Sequence, residues 1–299
     1  MSHTRAIGIL ILLLLAFLWG LGFVFQRSGM DHIGPYTFNA ARFVVGAISL
    51  LPALYFFARK TARSKRPTLW KASLLGGIFF FGGITFQQVG IVYTTAGKTA
   101  FITGLYIVIV PILSIALGQI ARWNVWLACV IAVIGLFFLS ETSSLNLQYG
   151  DTLVLICAFF WAAQIVVVGR MADQLDGPSF AFGQVLTVTA IAIPTALILE
   201  NHSWADIWAA KGAILFVGVI DTGLALILQI LGQRRVPATA AGIILSLEAV
   251  FGAICGYLFL AEIITQRMFV GGILMLSAMV IAQLSLPRLL PRADPTGPL

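Results

Sequence analysis

The sequence predicts an all-α integral membrane protein whose ten transmembrane helices form two inverted repeats of five. Of its 299 residues, 60% are apolar and only 10% are charged, whereas a soluble domain carries roughly 25% charged residues to keep its surface in water. The apolar runs extend over about 20 residues, which is the length of a helix that crosses a bilayer. Strands of a membrane barrel would instead alternate apolar and polar residues. We therefore expect lipid to surround most of the chain.

Ten apolar segments are long enough to span a membrane, and short turns such as Gly34-Pro35 separate them. The predicted spans are Ala6–Phe25, Phe38–Phe57, Lys71–Ile91, Thr99–Gln119, Trp123–Ser140, Thr152–Gly169, Phe180–Leu199, Ala210–Leu231, Thr239–Leu260 and Met268–Ser285. The first span is expected to be retained, because it is too long for the apolar region of a signal peptide. The first repeat covers residues 1–145, the second covers residues 146–287, and residues 288–299 form a disordered cytoplasmic tail.

The basic residues predict the orientation of the chain in the bacterial inner membrane. Loops that face the cytoplasm are enriched in lysine and arginine, and with the N-terminus inside, 13 of the 18 basic residues lie in inner loops or at inner span ends. The other five are Arg27, Arg42, Lys98, Lys211 and Arg267. Both termini are therefore predicted to be cytoplasmic. This distribution also explains the net charge of +7 without a nucleic-acid partner.

The two halves of the sequence resemble each other at a shift of 142 residues. The motif Ala16-Phe17-Leu18-Trp19-Gly20 recurs as Ala158-Phe159-Phe160-Trp161-Ala162, and Gln87-x-x-Gly90 recurs as Gln229-x-x-Gly232. Because each half holds five predicted spans, the second half enters the membrane in the opposite direction to the first. Inverted repeats are typical of secondary transporters, in which the substrate site lies near the midplane between the repeats.

Several short motifs follow one another from the first predicted span to the ninth. They are Phe17-Leu18-Trp19-Gly20, Ala41-Arg42-Phe43, Thr95-Ala96-Gly97-Lys98-Thr99-Ala100-Phe101, Val110-Pro111, Leu247-Glu248-Ala249-Val250-Phe251 and Leu260-Ala261-Glu262. Their order resembles that of EamA-type ten-helix transporters of the drug/metabolite transporter (DMT) superfamily, and within it the chain most resembles the YddG-like exporters of aromatic amino acids. Ala249 stands where the family usually has proline, which predicts a straighter ninth span than fourth. Gln119 stands where an acidic residue is common.

The resemblance implies a secondary transporter, not an enzyme, that exports small metabolites from the cytoplasm by alternating access. Amino acids, especially aromatic ones, are the implied substrates, and other metabolites or cationic drugs are the alternative. No ATPase motif is present, so transport is expected to use gradients, as proton antiport or as uniport. An intramembrane enzyme or a channel is a more remote alternative, because His3, His32 and His202 lie outside the predicted spans and no filter segment is visible. No cofactor or metal is expected.

Charged residues within the spans are candidates for function, since an acid or base at the bilayer centre costs about 2.5–3.5 kcal/mol. Asp221 lies halfway along the eighth span, where it binds a substrate ammonium or a coupling proton, or else fixes helix packing. Glu248, a feature of the resemblance, has a gating or structural role, with transport as the alternative. Arg42 snorkels or forms a structural ion pair, with a substrate carboxylate as the alternative. Lys98 is an interfacial anchor or outer gate, and Pro111 kinks the fourth span.

Aromatic and amide side chains deep in the spans complete the predicted substrate site. Trp19 and Trp161 are paired by the repeat, and with other aromatic residues they could line a cavity that stacks a ring, or else pack in the core. Glutamine amides need partners in a dry bundle, and a wet cavity would supply them. The predicted substrate-binding residues are Trp19, Phe79, Gln87, Phe101, Tyr106, Trp161, Gln164, Asp221 and Gln229.

Overall fold

The computed structural model describes residues 3–57, 66–94, 96–119, 121–140, 148–201, 203–260 and 263–284, which form helices joined by short turns. The predicted cytoplasmic tail, residues 288–299, lies outside these ranges, as does most of the basic loop between the second and third spans. Within the described ranges no residue belongs to a β-strand. The all-α prediction is confirmed.

The helices agree with the predicted spans in number and order. In chain order the described residues form α1 (His3–Met30), α2 (Pro35–Phe57), α3 (Arg66–Tyr93), α4 (Ala96–Gly104), α5 (Tyr106–Ala116), α6 (Trp123–Leu139), α7 (Tyr149–Met171), α8 (Gly177–Leu199), α9 (Trp204–Ala209), α10 (Lys211–Phe216), the π-helical segment Val217–Leu224, α11 (Ala225–Gln233), α12 (Ala238–Leu245), α13 (Glu248–Leu260) and α14 (Gln266–Gln283). Nine stretches of the described residues are long and apolar enough to cross a membrane, and α6 is a tenth, shorter apolar helix. Ten spans therefore account for the bundle.

The bundle is apolar outside and polar at selected points inside, as a protein dissolved in lipid requires. The side chains of Leu197 and Ile198 are 75% and 80% exposed, whereas those of Gln164 and Gln229 are fully buried. In water this distribution would be unfavourable on both counts. The polar interior is where a transport site belongs.

Contacts between the halves repeat at the shift of 142 residues seen in the sequence. A Cβ atom on Gly90 of α3 would lie 2.7 Å from Val154 of α7, and a Cβ atom on Gly232 of α11 would lie 2.6 Å from Leu12 of α1. Gly232 is the repeat mate of Gly90, and Val154 is the repeat mate of Leu12. The third span thus packs on the sixth as the eighth packs on the first, which is the arrangement of an inverted repeat.

The fourth and ninth spans are each broken at the same repeat position. The fourth is interrupted at Leu105, between α4 and α5, and the ninth at Ser246 and Leu247, between α12 and α13. Both spans are therefore interrupted, and the expectation from Ala249 that the ninth is straighter than the fourth stays a prediction. Proline does not cause the break, since Pro111 lies inside α5. Its missing N–H leaves the carbonyl of Ile107 without a helical donor, and the buried thiol of Cys129 donates to that oxygen at 3.4 Å.

Both ends of the described chain lie on one face of the bundle. Near the start of α1, the guanidinium of Arg5 donates a 2.9 Å hydrogen bond to the side-chain oxygen of Gln283, which ends α14. We call this the terminal face, and the other the opposite face. Met30, Tyr93 and Leu199 end their helices at the opposite face.

Candidate functional site

A narrow cavity of about 30 Å³ lies between the two repeats near the middle of the bundle. Its lining residues come from α1, α2, α3, α7, the π-helical segment and α13, and they are Trp19, Phe23, Gln26, Arg42, Phe80, Ile84, Gln87, Trp161, Asp221 and Glu248. This volume holds about two water molecules. The structure therefore shows the site nearly closed, with aromatic, charged and amide groups at its wall.

The cavity continues towards the opposite face. A second space of about 10 Å³ shares Phe23, Gln26 and Gln87 with it and extends to Met30 and Gln88. Met30 is the last residue of α1, and the side-chain amide of Gln88 lies 2.8 Å from its sulfur. The cavity thus extends from the midplane towards the opposite face, between apolar side chains and a few amides.

Arg42 and Asp221 form a loose, buried ion pair on the cavity wall. Their closest oxygen–nitrogen distance is 4.0 Å, with the side chains only 2% and 8% exposed. Within the described part of the chain, Nε of Arg42 and Oδ1 of Asp221 have no hydrogen-bond partner. The guanidinium also lies 5.7 and 5.3 Å from the ring centroids of Phe38 and Phe43. Each charged group therefore keeps polar capacity that a small molecule could use.

Local backbone structure places Asp221 at the cavity. Asp221 lies in the π-helical segment, and such segments occur frequently at functional sites. The indole N–H of Trp19 donates to the carbonyl oxygen of Asp221 at 3.2 Å. Gly22 makes room for the carboxylate, because a Cβ atom there would lie only 2.3 Å from Oδ1. Two residues of α1 thus fix the acid of the eighth span.

The two helix breaks also meet at the site. Tyr106 and Glu248 are the first helical residues after the breaks, and they are repeat mates, 142 positions apart. The phenol of Tyr106 donates to Oε1 of Glu248 at 3.3 Å. Discontinuous helices often form the substrate sites of inverted-repeat transporters. Here a single hydrogen bond joins the broken helix of the first repeat to that of the second.

A cluster of three amides closes the bundle on the terminal side of the cavity. The side chain of Gln164 donates to Gln184 at 3.2 Å and to Gln229 at 3.1 Å, and Gln229 donates back at 2.8 Å. All three side chains are fully buried. We call these residues the amide cluster.

The structure brings some of the predicted substrate-binding residues to the cavity and places others elsewhere. Trp19, Gln87, Trp161 and Asp221 line it, Gln164 and Gln229 belong to the amide cluster, and Tyr106 contacts Glu248. Phe79 and Phe101 pack away from the cavity, with ring centroids 6.2 Å from Phe160 and 6.1 Å from Phe137. Substrate contact by any of them stays a prediction.

The predicted gating or structural residues divide in the same way. Arg42 and Glu248 line the cavity, so their positions fit the substrate-contacting alternative. Pro111 is buried in α5, and the side chain of Lys98 lies outside the described residues.

Sequence reasoning missed four lining residues: Phe23, Gln26, Phe80 and Ile84. With Trp19 and Gln87 they form two stripes at spacing i, i+4 and i+7, one on α1 and one on α3, and each stripe ends in glutamine. That spacing marks one face of a helix. Two helical stripes of the same spacing, each ending in glutamine, could therefore have identified these four residues as cavity-lining.

Comparison with known proteins gives the family. The EamA-like transporter family matches the chain twice, over residues 6–141 and 148–283. An uncharacterized transporter of Archaeoglobus fulgidus is 30% identical, covering 91% of this chain and 84% of the relative. The threonine/homoserine exporter RhtA of Salmonella typhimurium is 26% identical, over 80% and 78%. An S-adenosylmethionine uptake transporter of Rickettsia felis is 22% identical, over 87% and 89%.

The fold is also found among solved structures. One crystal structure superposes with a TM-score of 0.77 at 16% sequence identity and covers 93% of this chain and 97% of that one. Each family match takes up one half of the chain. The second match begins 142 residues after the first, which is the shift of the sequence repeat. The chain belongs to the EamA-like transporter family.

Proposed function

We propose that this protein exports amino acids, aromatic ones foremost, from the cytoplasm by alternating access at the central cavity. The observation that supports this most is the loose Arg42–Asp221 pair, separated by 4.0 Å and buried at the cavity wall. An amino acid carries a carboxylate that matches Arg42 and an ammonium that matches Asp221. Binding would complete the polar contacts that each residue leaves open.

Aromatic walls favour a substrate with a ring. Trp161 lies between two other rings of the lining, with its centroid 5.5 Å from Trp19 and 5.5 Å from Phe80. Tilted and edge-on rings at this distance attract one another and can exchange a protein ring for a substrate ring. A side chain such as that of phenylalanine would enter this group as the cavity widens.

The relatives support an amino acid substrate, whereas the preference for an aromatic side chain is argued only from the rings that line the cavity. RhtA exports threonine and homoserine, and the Rickettsia felis relative takes up S-adenosylmethionine; all three compounds contain an α-amino acid group. Export follows the resemblance to exporters, with the terminal face in the cytoplasm. Asp221 and Glu248 also offer the cavity two acids for proton coupling, and uniport remains the alternative.

The test is counterflow into liposomes that contain the purified protein. Liposomes preloaded with unlabelled phenylalanine should take up labelled phenylalanine faster than empty ones, because a carrier returns loaded more readily than empty. Phenethylamine, which lacks the carboxylate, and 3-phenylpropionate, which lacks the ammonium, should each lose about tenfold or more in competition, since each leaves one member of the buried pair without a partner.

The same panel separates the alternatives. Threonine should compete more weakly than phenylalanine if the rings bind the side chain. Uptake of phenethylamine or another cationic amine at the rate of phenylalanine would contradict the proposal and support a drug exporter. Flux without trans-stimulation by any amino acid would contradict a carrier of this class. Adding a proton ionophore distinguishes antiport from uniport without altering counterflow.

A further inference from the structure

Buried amides continue from the cavity towards the terminal face. Gln229 and Gln233 lie eight and twelve residues beyond Asp221 on the eighth span. They are four residues apart and therefore share one face of α11. Gln233 donates to the carbonyl oxygen of Ile165 at 2.8 Å and is only 4% exposed. We call the amide cluster together with Gln233 the amide track.

The amide cluster is the counterpart, in the second repeat, of residues at the cavity. At the shift of 142 residues, the mates of Gln164, Gln184 and Gln229 are Gly22, Arg42 and Gln87. Arg42 and Gln87 line the cavity, and Gly22 touches Asp221 there. The three second-repeat positions are thus hydrogen-bonded to one another on the terminal side, whereas two of their first-repeat mates line the cavity.

Packing alone does not account for these amides. Within the described part of the chain, Nε2 of Gln184 and Oε1 of Gln233 have no hydrogen-bond partner. A buried polar atom without a partner is unfavourable, and an apolar side chain of similar size would close the bundle without that loss. Amides become favourable at these positions if water or substrate reaches them in another conformation.

We propose that the amide cluster is the gate on the terminal side of the cavity, and that the amide track lines the path to the terminal face when the gate opens. This inference rests on the proposed alternating access. When the repeats exchange conformations, Gln164 leaves Gln184 and Gln229, while Arg42 and Gln87 approach each other on the opposite side. Uncharged amides can hydrogen-bond both ends of a zwitterion and hold neither tightly, which suits a path rather than a binding site.

Cysteine labelling tests the gate without any substrate. The background chain has Cys129, Cys157 and Cys255, all buried, replaced by alanine, and the protein is held in lipid nanodiscs so that a polar maleimide reaches both faces. One reporter is Gln233→Cys, on the amide track. The other is Gln26→Cys, on the cavity wall. In this background Gln26→Cys should react faster than Gln233→Cys.

Opening the gate should reverse that preference. Gln164→Ala removes all three hydrogen bonds of the amide cluster, and it should raise the ratio of the Gln233→Cys rate to the Gln26→Cys rate by about tenfold. Gln184→Leu keeps the side-chain volume and removes one bond, so it should shift the ratio the same way by a smaller factor. Gln283→Ala, a buried amide of α14 away from the track, is the matched control and should leave the ratio unchanged.

The outcomes are separable from those of the transport test. An unchanged ratio in both gate variants, or faster labelling of Gln233→Cys than of Gln26→Cys in the background chain, would overturn the gate. If Gln164→Ala does not yield folded protein, Gln184→Leu decides by the direction of its shift. Because labelling needs no substrate, the amino acid proposal can fail in counterflow while the gate is supported here.

Discussion

Gly22→Ala is the smallest change that should move the charged group of the site. The new Cβ atom would lie 2.3 Å from Oδ1 and 2.8 Å from Cγ of Asp221, whereas ordinary contact begins at 3.4 Å. Helix α1 cannot withdraw to relieve this, because Gly20, two residues earlier, already packs against the backbone of Gly252, where a Cβ atom would have only 2.7 Å. The carboxylate must therefore retreat by about 1 Å, and overpacking of this kind costs about 1–3 kcal/mol.

Substrate affinity reports that displacement. If the ammonium of the substrate binds Asp221, a cost of about 1–3 kcal/mol raises the dissociation constant by about fivefold to 150-fold. Isothermal titration calorimetry with phenylalanine measures it, and counterflow gives the matching loss of transport. Gly212→Ala is the control, since nothing lies within 4 Å of its Cβ position. Unchanged affinity in Gly22→Ala would refute the assignment of Asp221 to the substrate.

Three further substitutions test other contacts of the structure. Arg42→Gln should weaken phenylalanine about tenfold and leave phenethylamine unaffected, because only the carboxylate loses its partner; equal losses for both ligands in competition assays would contradict this. Tyr106→Phe should lower the unfolding free energy in detergent by about 1–3 kcal/mol, since the partly buried carboxylate of Glu248 loses its phenol donor, and unchanged stability would show that the bond contributes nothing. Glu200→Ala should cost about 1 kcal/mol, because its carboxylate accepts from the first amides of α2 at 3.1 and 2.8 Å; a melting temperature equal to the parent's would contradict it.

The spans could be predicted because the bilayer fixes their length and composition. Their ends could not, since a helix continues beyond the hydrocarbon core for as long as its backbone finds hydrogen bonds. α1 runs from His3 to Met30, several residues past the predicted end at Phe25. The breaks at Leu105 and at Ser246–Leu247 could not be predicted either, because neither contains proline, and Gly104, beside the first break, has serine at its repeat position, Ser246.

The candidate site was predicted as far as charge and repetition reach. Asp221 and the two tryptophans were identified because an acid in an apolar run, or a repeated deep aromatic residue, is visible in the sequence. Arg42 was expected to snorkel or to form a structural ion pair, and in the structure it is buried 4.0 Å from Asp221. Its partner, Asp221, lies on the eighth span, and the sequence around Arg42 does not indicate which distant residue it pairs with.

The rotation of an apolar helix was the other limit. Phe79 was predicted at the cavity, yet Phe80 lines it. Consecutive residues differ by about 100° around a helix, and α3 is apolar on most of its circumference, so its sequence does not define an inner face. The π-helical segment could not be predicted either, because Asp221 contacts Gly22 and Trp19 of another span, and these contacts form only on folding.

An experimental structure with phenylalanine bound is the most direct test of the claim that this cavity is the substrate site. We predict that the carboxylate lies within hydrogen-bond reach of the Arg42 guanidinium, that the ammonium faces Asp221, and that the ring packs against Trp19 or Trp161. Phenylalanine bound elsewhere in the bundle, or bound here with neither Arg42 nor Asp221 in contact, would contradict it.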